Sequence, residues 1–434
     1  MTLRLPMGAT TFIGLRTAKM EQGGRPVVAR NLKRAVWIAI KLPLYALVAS
    51  LVIAIRMIRP WFLVRCGCLM STRLGHFAGN VELYLCERDA GINLPKQHHV
   101  DLFYTIKPIC NQQLATMWKR VLHVWPGWVL SPIDRVNCWI PGGAAHKIGH
   151  NTSLDRDVHN LLDRFPSHLV FTAEEEVQGE AGLRAMGIPS GSPFVCLLVR
   201  DSAYLDAHLP HVWSYHSYRD SDVQRYVFAA EELASRGYFV IRMGAKVREA
   251  IKTAHPKVID YATNGMRSDF MDIYLGAKCE FCVSTGSGWD AVPEMCRRPI
   301  VYVNFVPLGY IHTYKSECIS LPKHYVMKKD GRRLTFREIF AGGIGFSTHA
   351  GDYESKGIQL IENTADEICD VAIEMAERLD GTWKPHEDDE ELQHRFREIF
   401  RVNVKDAYPG GPLHGEMRAR FGAAFLRNNR DWLQ

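Results

Sequence analysis

Apolar residues recur along this chain in two ways. Short continuous runs predict buried strands, and positions spaced three and four apart between them predict helices. Phe62–Cys66 and Val100–Ile106 read as strands; His76–Glu87 and Gln112–Val121 read as the helices that follow them. A strand, a glycine loop, a helix and a second strand open a parallel α/β sheet. Residues 125–190 fit the rhythm less well, because Trp125-Pro-Gly-Trp128 and Pro141-Gly-Gly143 interrupt it, although Phe171–Met186 has a helical pattern. The rhythm restarts after the linker-like Pro189-Ser-Gly-Ser-Pro193. Strands are predicted at Phe194–Val199, Tyr238–Met243, Val258–Asp260, Phe281–Ser284 and Pro299–Val303. Helices are predicted at Ser221–Arg236, Ser268–Ala277 (with Ser268 as N-cap) and Trp289–Cys296. Residues 305–356 read as irregular. Helices follow at Ala365–Leu379, from Leu392 to about Val402, and near Met417–Arg427, while the acidic run Glu387–Glu391 reads as a solvated face. The expected architecture is α/β, with two Rossmann-like domains at 60–190 and 191–380 facing a cleft and a helical tail at 381–434.

Ahead of these domains lies a different pattern. Val36–Ile55 is apolar except for Lys41, and the uncharged run Leu42–Ile55 is 14 residues long. A spanning helix needs about 20. The expected element is an apolar helix over 36–58, within a basic segment 1–59, that associates with the membrane as a peripheral or monotopic anchor. A single span with Lys41 reaching the interface, and a buried core helix, are the competing readings. No small-residue cleavage site follows, which argues against a signal peptide.

Charge sharpens that division. The net charge is +6, but residues 1–75 hold twelve Lys/Arg against Glu21, a surplus of +11 that leaves −5 on the other 359 residues. A nucleic-acid protein would carry its basic face on the folded body, so nucleic acid is not an expected partner. The cytoplasmic face of an inner membrane is, because basic residues beside an apolar segment favour anionic head groups. Eleven cysteines lie largely in apolar runs, as buried thiols do. Cys279 and Cys282 have CxxC spacing but no companion ligands, so a buried strand is expected there and no metal site.

Candidate chemistry gathers at predicted strand ends. Thr285-Gly286-Ser287-Gly288 follows one strand and opens a helix. Glycines admit close approach of a ligand, and amides at a helix start favour an anion. The loop matches neither GxGxxG nor GxxxxGK[ST], so dinucleotide and P-loop readings have no support. Asp290 and Glu294 share one helix face, and Glu294 is a candidate acceptor for ribose hydroxyls. Arg200, Arg242 and Gly244 stand at the ends of the two preceding strands, where arginines could meet a phosphate. In the first domain, Arg73-Leu-Gly75-His76 places His76 at a glycine loop and helix start, which favours the neutral imidazole a general base needs. Tyr218 and Arg219 are further cleft candidates.

These segments carry a resemblance. Arg73-Leu-Gly-His-Phe-Ala78, Val199-Arg-Asp-Ser-Ala-Tyr204, Tyr218-Arg-Asp-Ser-Asp222, Gly237–Gly244, Asp269–Leu275 and Ser284-Thr-Gly-Ser-Gly288 resemble a poorly characterised bacterial family assigned as glycosyltransferases and associated with surface polysaccharide synthesis. The resemblance covers about residues 55–370 and implies a GT-B-like fold without identifying a donor. More loosely, Gly75-His76 is similar to the Gly-Gly-His loop of lipid-linked N-acetylglucosaminyltransferases, with one of those glycines present here.

The combined expectation is a metal-independent transferase moving a sugar from a nucleotide-sugar substrate, with no other cofactor, to a membrane-linked glycan or surface polysaccharide acceptor. The donor phosphates would lie at Thr285–Gly288 with Arg200 or Arg242, and His76 would take the acceptor proton. Three readings compete: a nucleotide-sugar 2-epimerase, a non-catalytic scaffold of a polysaccharide assembly complex, and a polysaccharide-modifying transferase such as a pyruvyl transferase.

Overall fold

The computed structural model describes residues 43–149, 156–208, 214–404 and 413–434. It is a mixed α/β structure built on two parallel sheets. The first has three strands: β1 (Leu63–Leu69), β2 (His99–Thr105) and β3 (His123–Val124), in that order. β1 and β2 run in register from Leu63 opposite His99 to Leu69 opposite Thr105. The connecting helix begins with a π-turn, His76–Asn80, and continues as Val81–Asp89. The next helix is Gln112–Val121, whose N-cap Asn111 accepts from the Leu114 amide at 2.8 Å.

The larger unit holds β4 (Phe194–Leu198), β5 (Phe239–Met243), β6 (Val258–Ile259), β7 (Phe281–Ser284), β8 (Ile300–Phe305) and β9 (Cys318–Pro322). A two-stranded antiparallel ribbon, β10 (His324–Met327) with β11 (Ile358–Ile361), follows, and β12 (Arg420–Phe421) closes the large sheet. The seven-stranded order is β12-β9-β8-β7-β4-β5-β6, parallel throughout. The chain leaves β4 toward β5 and β6, then crosses back to β7 on the other side. That reversal puts a crevice beyond the carboxyl ends of β4 and β7, the usual ligand position in open α/β sheets.

Several elements differ from the sequence reading. Residues 305–356 are not irregular; they contain β9, β10 and the helices Phe336–Ala341 and Ala350–Ser355. All five residues of β9 are buried, so it has no polar alternation to announce it. Ser221–Arg236 starts as a 3₁₀ turn, Val223–Tyr226, under the Asp222 cap, before the α-helix Val227–Ser235. The acidic run is not a solvated face throughout, because Asp389 is buried, accepts from the His386 amide at 2.8 Å and pairs with Arg427. Part of the tail joins the large sheet as β12, and the helix Ala423–Asn428 packs against Ala365–Leu379. Near the N-terminus, residues 43–57 are helical, while residues 36–42 of the expected apolar helix fall outside the described residues. Among the described residues no helix is long and apolar enough to cross a membrane.

The two units are joined by polar contacts that fix the crevice. Asn111 Nδ2 and the Gln112 amide donate to the Asp269 carbonyl and carboxylate, each at 2.8 Å. Arg297, held at φ +62°, donates from Nη2 to the buried Glu82 at 2.5 Å. His168 bridges Glu82 and Asp89 at 3.1 and 2.8 Å. Burial alone would lower the His168 pKa, but hydrogen bonds with Cys86, Glu82 and Asp89 raise it to about 10. Glu82, Cys86 and His168 bring ligand atoms within 4.8 Å of one another. Arg297 also faces the Cys86 sulfur at 3.4 Å, so a guanidinium already supplies the positive charge there.

Candidate functional site

The loop after β7 is folded onto itself. Gly286 has φ +77°, and a Cβ there would lie 2.8 Å from the Phe305 ring, so only glycine fits without strain. The Gly286 amide donates to Ser284 Oγ at 3.1 Å, and the Ser287 amide donates to Asp290 Oδ2 at 2.6 Å. Ser284 Oγ also donates to Asp290 Oδ2, at 2.9 Å. Burial raises the Asp290 pKa to about 6, against the opposing pull of His312 and the Ser287 amide. Two amides expected to face an anion are thus engaged inside the loop. Thr285 Oγ1 accepts from the Arg200 amide at 2.9 Å, which ties the end of β7 to the end of β4. Gly288 meets the first unit directly: a Cβ on Gly75 would lie 3.0 Å from the Gly288 Cα and carbonyl oxygen. The two glycine loops therefore stand back to back. His76, half-buried, begins the helix that starts at this contact.

Cations line the crevice above this floor. The Arg219 guanidinium donates to the Gly286 carbonyl. Arg200 Nη1 donates to the His216 carbonyl at 3.3 Å and stands 4.0 Å from Asp220. Burial, then the charge of Arg219, lowers the Arg200 pKa to about 10. Burial, then Arg219, Arg200, His349 and Arg73, pushes His216 down to about 4. Lys323 is buried and donates from Nζ to the Asp220 carbonyl at 2.6 Å. Its pKa is lowered by burial and, more weakly, by Arg200 and Arg225, against the larger opposing pull of Glu362 and Asp220. Arg219 thus depresses both Arg200 and His216, while acids pull the other way: Asp220 on Arg200 and Lys323, and Glu362 on Lys323. Two of the nearby acids are engaged elsewhere. Asp201 accepts from the Ala203 and Arg248 amides at 2.8 and 2.9 Å, and Glu362 accepts from the Asp222 amide at 3.2 Å. Tyr215 stacks on His349 at 4.8 Å beside this group.

The other sequence candidates have different surroundings. Arg242 is 1% exposed and bonds Asp260 at 3.1 Å, within the core one strand away from the crevice. A Cβ on Gly244 would lie 2.6 Å from Val247 Cγ1, so this glycine admits the close approach of that side chain. Glu294 is buried, with His312 at 3.0 Å and Tyr314 donating at 2.9 Å. Burial favours its neutral form, but the His312 charge and both hydrogen bonds hold its pKa below the usual carboxylate range. Sequence reasoning did not single out His216, Lys323 or His349 for the site. The last two lie in the segment read as irregular, where no motif marks them. Cys279 and Cys282 are both buried thiols, as expected for a core strand.

The fold and this cluster define a class: a parallel α/β protein with arginine side chains gathered at the switch point of its larger sheet. No family model matches the chain, and no curated protein matches it. Solved structures similar to it include E. coli ADP-heptose lps heptosyltransferase II, at 12% identity and TM-score 0.37, covering 62% of this chain and 93% of that one. A glycosyl transferase family 9 protein from Veillonella parvula also has 12% identity and TM-score 0.37, covering 60% and 86%. E. coli heptosyltransferase WaaC with ADP-2-deoxy-2-fluoro heptose has 11% identity and TM-score 0.28, covering 60% and 93%.

Proposed function

We propose that this chain is a glycosyltransferase of GT-B type, whose crevice beyond β4 and β7 holds the diphosphate of a nucleotide-sugar donor. The observation that carries the reading is the gathering of Arg200, Arg219 and Lys323 around His216 and Asp220 at the switch point, with Arg219 reaching the Gly286 carbonyl of the glycine loop. Charge-assisted hydrogen bonds from guanidinium groups suit phosphate oxygens. Mutually repelling cations are stabilised most when an anion arrives. Negative charge grows on the diphosphate as the glycosidic bond to it breaks, so the same cations favour departure of the leaving group. The Tyr215–His349 stack offers an aromatic surface beside them.

The acceptor, a membrane-linked glycan or surface polysaccharide, enters from the first unit near His76 and Asn80. In an inverting transfer, its hydroxyl oxygen bonds to the anomeric carbon while the carbon–oxygen bond to the diphosphate breaks. His76 takes the hydroxyl proton. The basic N-terminal segment holds the enzyme at the cytoplasmic face of the inner membrane. Product analysis with membranes as acceptor source tests the reading. Release of nucleoside diphosphate with sugar incorporation is expected, and His76→Asn should lower turnover by about 10² or more. Isomerised nucleotide sugar without incorporation would replace the reading with an epimerase.

A further inference from the structure

The helix Gly127–Trp139 turns Leu130, Ile133 and Val136 into the first unit, where they pack with Val48 and Val52 of the helix 43–57. Its other face carries Trp128 and Trp139, 82% and 64% exposed. Eleven residues are about three helical turns, so the two indoles point the same way, roughly 16 Å apart. Arg135 lies on that face between them and reaches Tyr45 Oη at 3.5 Å, while Trp139 packs against the Tyr45 ring at 5.6 Å. The face is therefore continuous with helix 43–57, whose outer side exposes Leu44, Leu47 and Leu51. Trp61, 75% exposed, lies just past that helix. Exposed apolar area of this kind marks an interaction surface.

Charge identifies what covers it. Over residues 43–62 and 123–149 the basic residues are Arg56, Arg59, Arg135 and Lys147, and the one acid is Asp134. Asp134 is buried and engaged with Tyr104 at 3.0 Å and Lys147 at 3.6 Å. A two-fold contact between copies would bring the same arginines together. Residues 1–42 carry eight Lys/Arg and one acid, a charge that does not complement this face. Tryptophan and arginine around aliphatic side chains instead match the head-group boundary of a bilayer.

We infer that the Trp128–Arg135–Trp139 face of the folded body, together with the outer side of helix 43–57, docks on a membrane leaflet bearing anionic head groups. This extends the membrane reading from the N-terminal segment to the body. It also orients the crevice. A Cβ on Gly127 would lie 2.9 Å from the Thr105 carbonyl, so Trp128 sits at the carboxyl edge of the first sheet, the edge from which the loop to His76 departs. The face would bring that edge to the lipid surface.

The test uses the full chain, flotation with phosphatidylglycerol–phosphatidylcholine vesicles, and quenching of tryptophan fluorescence by brominated lipid. Wild type is expected to float and to be quenched. Trp128→Glu/Trp139→Glu should bind at least about tenfold more weakly. Trp128→Phe/Trp139→Phe should float but lose much of the quenching. Arg135→Glu should weaken binding to phosphatidylglycerol vesicles more than to pure phosphatidylcholine. Unchanged flotation of the double Glu variant, with unchanged quenching of the double Phe variant, would overturn the inference. So would a dimer in light scattering that the double Glu variant converts to monomer without loss of vesicle binding. Unchanged thermal stability establishes that the variants fold. Nucleotide-sugar binding, measured separately, tests the transferase reading and leaves the flotation result independent of it.

Discussion

Arg200 and Arg242 stand near the ends of neighbouring strands, and their surroundings are opposite. Arg242 lies within β5, opposite Leu197 of β4, and has an acid partner in Asp260. Arg200 lies two residues beyond β4, with Asp220 only at 4.0 Å, and the largest charge acting on it is that of another cation, Arg219. An arginine with its own carboxylate holds a fold together. An arginine crowded by like charges is held in place by the fold and is stabilised by a ligand.

The largest expected effect is on the paired side of this contrast. Arg242→Met leaves the Asp260 carboxylate without its partner and should cost about 3 kcal/mol in urea unfolding, with donor affinity of the folded protein unchanged. Gly286→Ala comes next: a positive φ and the Phe305 contact should cost about 2 kcal/mol and displace the carbonyl that orients Arg219. Arg200→Ala and Arg219→Ala should each reduce donor affinity by about 1.5–3 kcal/mol, roughly tenfold to a hundredfold, in calorimetric titration. Each should cost less stability than Arg242→Met, because the lost hydrogen bonds are partly offset by relief of the Arg200–Arg219 repulsion. Equal losses of stability in Arg200→Ala and Arg242→Met would erase the contrast.

The smallest expected effect is on pH dependence. His216 is held at about 4 in the unliganded crevice, below its ordinary value of 6.5. A bound diphosphate raises it, so proton uptake accompanies binding and affinity should rise as pH falls from about 6.5 toward 4. A UDP or GDP donor does not titrate in that range, and comparison with His216→Asn separates the histidine from Asp290, whose pKa is raised to about 6. A flat profile, or one that His216→Asn leaves unaltered, would remove His216 from the cationic group.

Much of this was legible in the sequence. The continuous runs at β4, β7 and β8 and the cap Ser268 follow directly from local pattern. Arg200 and Thr285 were marked by lying just past a strand. Other features needed tertiary contacts. Nothing local separates Arg242 from Arg200, since the Asp260 partner arrives from beyond β6. The engagement of the Ser287 amide depends on Asp290 folding back, and Lys323 follows a strand buried on both faces. The meeting of Gly75 with Gly288 joins residues more than two hundred positions apart, and no periodicity encodes it.

The most direct measurement is a thermal-shift titration of the full chain with UDP-, GDP-, dTDP- and CMP-sugars, comparing wild type with Arg200→Ala/Arg219→Ala and Arg242→Met. One donor at a hundred times its Kd should stabilise wild type by about 2.7 kcal/mol. The shift should persist in Arg242→Met and vanish in the double variant at the same concentration. No shift with any donor, or a shift that the double variant retains in full, would contradict the account.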